Sequence, residues 1–127
     1  MPSAILIIED EVDILELVSI ILERAGYVVA QARDAEAGWQ RLAQLPCDLI
    51  IVDVNLPDID GWEVCRRLRA ESRTACVPIL LFTVRSELAD DALQHPELVD
   101  GFISKPFDRA ELLALIAKLL ARTPVCA

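Results

Sequence analysis

The chain has 127 residues, 54% hydrophobic and 26% charged, the size and balance of one soluble domain that buries a core without staples. Its 21 acidic residues against 12 basic ones leave a formal charge of −9, which argues against direct nucleic-acid or anionic-membrane binding and suits a divalent cation or a basic partner. No apolar run approaches the ~20 residues of a membrane span, and Glu9, Asp10 and Glu11 follow the start too closely for a signal peptide.

Ala4–Ile8 is a short aliphatic run and predicts the first strand. Ile14, Leu15, Val18, Ile21, Leu22 and Ala25 then recur at helical spacing, with Gly26 placed to end that helix. On the same wheel Ile20 falls nearly opposite the inward face, and Leu17 sits on its flank. Residues 27–32 read as a second strand, and Asp34 can cap a helix over 35–45. The third strand, 49–52, runs directly into Asp53; Pro57 and Gly61 then punctuate an acidic loop before a helix over 62–70. In that loop Asp58 and Asp60 read as solvated turn or cap residues. A fourth strand over 77–82 is followed by a weaker helix over 86–94. That helix has a narrow apolar face (Leu88, Ala89, Ala92 and Leu93) and is stopped by Pro96 after His95. Gly101–Ser104 is the fifth strand, and Asp108 with Glu111 makes a capping-box-like start to a last helix. Its expected core positions are Leu112, Leu113, Ile116, Leu119 and Leu120.

Uniformly apolar strands alternating with helices predict an α/β domain: a doubly wound parallel sheet of five strands, order 2-1-3-4-5, with five helices. Ligands of such sheets bind beyond the carboxyl ends of the strands. There the first strand leads into Glu9 and Asp10, the third into Asp53, the fourth into Thr83, and the fifth into Lys105 and Pro106. Since strands one and three are neighbours in that order, Glu9, Asp10 and Asp53 converge. Three adjacent carboxylates repel one another unless a cation joins them. Mg²⁺ fits, because it takes one or two carboxylates, keeps waters and awaits phosphate oxygens. Lys105 and Thr83 would face those same oxygens, with Asp53 as the nucleophile on phosphorus. The four cysteines, Cys47, Cys65, Cys76 and Cys126, are scattered singly, so four reduced thiols in a cytoplasmic protein are expected.

These residues resemble the receiver domain of two-component response regulators, the CheY-like, flavodoxin-like fold, over nearly the whole chain. The resemblance rests on Glu9 and Asp10, on Asp53 followed by Asn55, Leu56, Pro57 and Gly61, on Thr83, and on Lys105 with Pro106. It implies that Asp53 is the phosphoacceptor, and that Asp10, Asp53 and the Asn55 backbone carbonyl ligate Mg²⁺ with Glu9 acting through water. It implies that Thr83 and Lys105 bind the phosphoryl group and that Phe102 fills an aromatic switch position. The expected donor is a histidine kinase or phosphotransfer protein, docking on the first helix beside Ile20. The expected output is a protein target read through the face of the fourth helix, fifth strand and last helix, with at most slow self-dephosphorylation and with a homodimer left open. The Lys105–Pro106 bond is expected to be cis, which proline makes accessible. Residues 1–122 are expected to form the receiver, with 123–127 a short tail and no output domain.

Each residue alone has a plainer reading. The acidic trio suits a helix N-terminus, Thr83 a helix cap, Lys105 the surface and Phe102 the core, while Trp39 and Trp62 are packing groups. The sequence also departs from the family pattern. Val84 follows Thr83 where a very small residue is usual, no glycine closes the 86–94 helix, and Leu115 replaces an arginine used in some family dimers. Two alternatives remain: a phosphorylation-independent interaction domain, and a dehalogenase-like phosphatase, which would want an aspartate where Asn55 stands.

Overall fold

In the computed structural model, which describes residues 2–83, 98–105 and 107–122, the aliphatic runs become strands of one parallel sheet. Chain order is β1 (Ala4–Ile8), α1 (Val12–Arg24), β2 (Val28–Ala32), α2 (Ala35–Gln44), β3 (Leu49–Asp53), α3 (Gly61–Ala70), β4 (Ile79–Thr83), β5 (Gly101–Ser104) and α4 (Arg109–Ala121). The spatial order is β2-β1-β3-β4-β5, as the alternation of elements predicts. Register pairs Ile8 with Val52 and Asp53 with Phe82, so the strands end nearly level at the carboxyl rim.

Side chains on a strand point alternately to opposite faces, and this sheet uses both. Leu6, Ile8, Ile50 and Val52 enter a core shared with α2 and α3. Ile5, Ile7, Leu49 and Ile51 enter a second core shared with α1 and α4. That is why β1 and β3 read as unbroken apolar runs: every position is covered by a helix on one side or the other. On α1, Leu15, Val18, Ile21 and Leu22 are buried, while Leu17 and Ile20 are half exposed, as the wheel requires.

Helix ends follow local chemistry. Gly26 adopts φ +98°, a left-handed conformation that costs glycine no Cβ clash, and it ends α1. Asp34 caps α2 by accepting from the Ala37 N–H at 2.8 Å, and Asp60 caps α3 by accepting from Trp62 N–H at 2.7 Å. Gly61 is needed for space. An added Cβ there would meet Val54 Cα at 2.6 Å and the Asp53 carbonyl carbon at 3.0 Å.

At the opposite end of the sheet, Arg69 of α3 acts as a latch. Its guanidinium donates to the carbonyls of Ala75, Val77 and Leu98 and to Asp100 Oδ2 at 2.6 Å. The same Asp100 oxygen accepts from Ile79 N–H at 2.8 Å, joining the starts of β4 and β5.

Several expectations need correction. β4 starts at Ile79 and not at residue 77, because the Val77 N–H and carbonyl are taken by Thr74 O and Arg69 in a turn. β2 starts at Val28 because Tyr27 N–H bonds back to Leu22 O, closing the helix end. Ala25 is exposed, since it is the residue that ends α1. α2 stops at Gln44, one residue short, and α3 begins at Gly61, one residue early. Asp108 precedes α4, yet its side chain makes no capping bond. Cys47 and Cys65 are free thiols, but Cys76 is disulfide-bonded, which single, irregular spacing could not reveal. The helix expected over 86–94, Val84 and the Lys105–Pro106 bond with its Pro106 lie outside the described residues, as does the tail over 123–127. Among the described residues no helix is long and apolar enough to cross a membrane.

Candidate functional site

β1 delivers Glu9 one residue past its end, and Glu9 N–H donates to Ala32 O at 2.9 Å, continuing the ladder to β2. β3 delivers Asp53 as its last residue. Both carboxylates are buried, at 0% and 3% exposure, a placement that acidic residues rarely accept without partners. Asp10 is half-buried beside them, and one ligand atom from each of the three lies within 4.8 Å of the others.

Lys105, one residue past β5, reaches across to this group. Its ammonium donates to Asp53 Oδ2 at 3.1 Å and to Glu9 Oε1, and Glu11 Oε1 stands 3.8 Å away. The Nζ atom also lies 5.9 Å from the centre of the buried Phe82 ring, within reach of a cation–π attraction. Phe82 in turn meets Phe107 at 5.4 Å. The alternation of the strands explains the convergence. Residues 5 and 7 on β1, 49 and 51 on β3, and 103 on β5 face the α1/α4 core. Continuing each strand by two residues points Glu9, Asp53 and Lys105 the same way.

The electrostatics are those of a cation site. Burial and the adjacent Asp53 push the Glu9 carboxyl from its ordinary 4.5 up to about 8, with the Lys105 ammonium opposing the shift. Burial alone would lower Lys105; its bonds to Glu9 and Asp53 raise it instead, so its charge is held in place. Glu9 Oε2 is buried with no hydrogen-bond partner, a costly arrangement for a carboxylate oxygen. An all-oxygen donor set with one unsatisfied buried oxygen fits a hard divalent cation such as Mg²⁺.

The other expected site residues are placed as follows. Asn55 is the second residue of the β3–α3 loop, and its N–H donates to Asp53 Oδ1 at 3.1 Å. Thr83 is the last residue of β4, the strand beside β3, paired with Ser104. Phe102 is half-buried on β5 against the α2/α3 core, next to Leu81. Trp39 and Trp62 pack against that same core. Cys65 is buried, which pushes its thiol up to about 12 and leaves it inert.

Sequence reading missed Asp58. Its carboxylate accepts from the N–H groups of Ala35 and Glu36 at the start of α2, both at 3.1 Å, and from Ile59 at 3.0 Å. Slight burial works to raise this carboxyl, but the amides of Ala35, Glu36 and Ile59, together with its own, outweigh it and lower it. No local pattern signals a bond spanning more than 20 residues of chain.

A family model for the response regulator receiver domain matches residues 5–117. The DNA-binding dual master transcriptional regulator RpaA of Synechocystis sp. is 45% identical over 119 residues, covering 94% of this chain and 49% of that protein. The chain spans about half the length of the curated relatives it matches. The solved structure of the chemotaxis response regulator CheY4 of Vibrio cholerae superposes with a TM-score of 0.86 at 28% identity, covering 94% of this chain and 99% of that one. The receiver domain of the sensor histidine kinase PA1611 from Pseudomonas aeruginosa PAO1 was solved with a magnesium ion coordinated in its active site cleft. It superposes with a TM-score of 0.86 at 27% identity, covering 96% of this chain and all of that one (100%).

Proposed function

The chain belongs to the family of response regulator receiver domains, the switches of two-component signalling, and on that premise we propose that Asp53 is its phosphoacceptor. The observation that carries this reading is the buried Asp53 carboxylate held by the Lys105 ammonium, with Glu9 and Asp10 gathered beside it.

Asp10, Asp53 and the Asn55 backbone carbonyl would hold Mg²⁺, with Glu9 acting through water. Bound there, Mg²⁺ supplies positive charge that offsets the phosphoryl oxygens of donor and product. The chain's own residues do the rest. An Asp53 oxygen attacks phosphorus of a phosphohistidine, the P–N bond breaks with its electron pair going to the imidazole, and an acyl phosphate remains. Asp53 is oriented for attack by two bonds, from Asn55 N–H to Oδ1 and from Lys105 to Oδ2. The Lys105 ammonium, already beside the nucleophile, pairs with the incoming oxygens at little reorganisation cost. Thr83 donates its hydroxyl to the same group from the neighbouring strand.

In this reading the protein is a regulatory domain, with no activity beyond slow hydrolysis of its own acyl phosphate. Its partners are a histidine kinase or phosphotransfer protein upstream and a protein target downstream, met in the cytoplasm. The −9 charge supports the absence of direct nucleic-acid contact by these residues. Residues 1–122 form the receiver unit, and Thr83 and Phe102 couple the site to a signalling face that includes β5 and α4; the helix expected over 86–94 lies outside the described residues. A homodimer through that face is one form the output can take.

The test is labelling by acetyl phosphate. Wild type should gain one base-labile phosphoryl group only when Mg²⁺ is present, and Asp53→Asn should gain none. Full labelling of Asp53→Asn would overturn the assignment.

A further inference from the structure

The β3–α3 loop is closed at its base and staked at its tip, and the two attachments do different things. At the base, Gly61 N–H donates to Val54 O at 2.9 Å and Asn55 bridges to Asp60, which fixes the loop's shape. Leu56 and Ile59 of the loop also pack against the α2/α3 core, an apolar hold with no fixed direction. At the tip, the exposed Asp58 reaches the amino end of α2 and accepts from Ala35 and Glu36. α2 already has a local cap in Asp34, which takes the next amide, Ala37. The two carboxylates therefore divide the first turn of α2 between them, one from its own chain segment and one from the loop. A charged acceptor on two backbone donors makes a strong stake.

From this arrangement we infer that Asp58 is a positioning residue for the metal site: by staking the β3–α3 loop to α2 it holds the Asn55 backbone carbonyl toward Asp10 and Asp53. The inference rests on the reading of Asn55 as a metal ligand. It assigns Asp58 no contact with substrate or metal. Without the stake, the loop keeps the Val54–Gly61 and Asn55–Asp60 contacts and the packing of Leu56 and Ile59, but its tip loses the polar tie to α2 and the Asn55 carbonyl is held less firmly. A looser Asn55 carbonyl weakens one oxygen of the donor set while leaving Asp53 on its rigid strand. Metal affinity should suffer and the chemistry of the loaded site should not.

The experiment is Mg²⁺ titration by calorimetry, together with acetyl phosphate labelling across Mg²⁺ concentrations, on wild type and three variants. Asp58→Ala should raise the Mg²⁺ dissociation constant about tenfold, the lower end of what losing support behind a ligand costs. Its labelling rate at saturating Mg²⁺ should stay within about twofold of wild type, since the nucleophile is untouched. Asp58→Asn retains one acceptor oxygen and should fall between the two. Asp34→Ala removes the other cap of α2 and should lower the melting point by a few degrees while leaving Mg²⁺ affinity alone. An unchanged Mg²⁺ constant in Asp58→Ala overturns the inference, and so does an equal loss in Asp34→Ala, which would trace the effect to α2 itself. Failure of wild type to bind Mg²⁺ or to be labelled would instead defeat the phosphoacceptor reading, a separate outcome.

Discussion

Gly61→Ala puts the close approach of α3 and β3 to the test. Two effects of opposite sign meet at this position. Alanine is the better helix former, worth up to ~1 kcal/mol at an unstrained site. Against that, the new Cβ would sit 2.6 Å from Val54 Cα and 3.0 Å from the Asp53 carbonyl carbon, well inside any real contact. The atoms it strikes are backbone of Asp53, the buried last residue of β3, and of buried Val54 just after it, so no side chain can swing away. Overpacking of that kind costs about 1–3 kcal/mol and outweighs the propensity gain. The expected net loss in urea unfolding is about 1–2 kcal/mol, or a melting point lower by several degrees, ~3–8 °C. The displaced peptide is the one that carries Asp53, so acetyl phosphate labelling should also slow by about tenfold or more. Gly38→Ala is the control. There the Cβ would meet Ile8 Cδ1 at 2.7 Å, the movable end of a side chain, so stability should fall modestly with labelling retained. Wild-type stability and labelling in Gly61→Ala would refute the argument that this contact positions the nucleophile.

Three further expectations follow from the same geometry. Glu9, raised from 4.5 to about 8, binds its proton in the native state across that window, so the metal-free protein should lose stability as pH rises through it. Mg²⁺ binding expels that proton, so its affinity by calorimetry should rise up to about tenfold per unit toward pH 8 and then level; a flat profile from pH 6 to 9 would contradict this. Asp100→Ala leaves the Arg69 guanidinium and Ile79 N–H short of a partner, and should cost about 2–4 kcal/mol in urea unfolding; a loss below ~0.5 kcal/mol would show the latch to be idle. Ile20→Asp, on the half-exposed face of α1, should leave stability within ~0.5 kcal/mol and acetyl phosphate labelling intact while slowing transfer from a phosphohistidine partner; equal slowing of both would point to misfolding.

The fold was legible because its two cores leave a simple trace: apolar runs for β1, β3 and β4, and a helical wheel for α1 that distinguishes buried Leu22 from half-exposed Ile20. The convergence of Glu9, Asp53 and Lys105 was legible once strand order was inferred, since each is an ionisable residue at the end of an apolar strand. What escaped was set by contacts distant in sequence. Val77 looks like strand by composition, and its N–H on Thr74 O together with the Arg69 guanidinium on its carbonyl turns it into a loop. Asp58 looks like a turn residue, and only the approach of α2 makes it a stake. Asp108 has the right residue type for a cap, yet its side chain takes no helix amide.

The alternation of β1, β3 and β5 between the two cores has a consequence for how this chain can change its length. Glu9, Asp53 and Lys105 meet because each lies an even number of steps beyond a residue on the same face. Lengthening a connection at the far edge of the sheet leaves that parity intact. Adding or deleting a single residue inside β3 would instead exchange the two cores along the strand and swing the carboxylate away from the ammonium. Insertions and deletions are therefore filtered by location: neutral drift is open to connections at the far edge of the sheet, while within these strands even one residue removes the site and the core together.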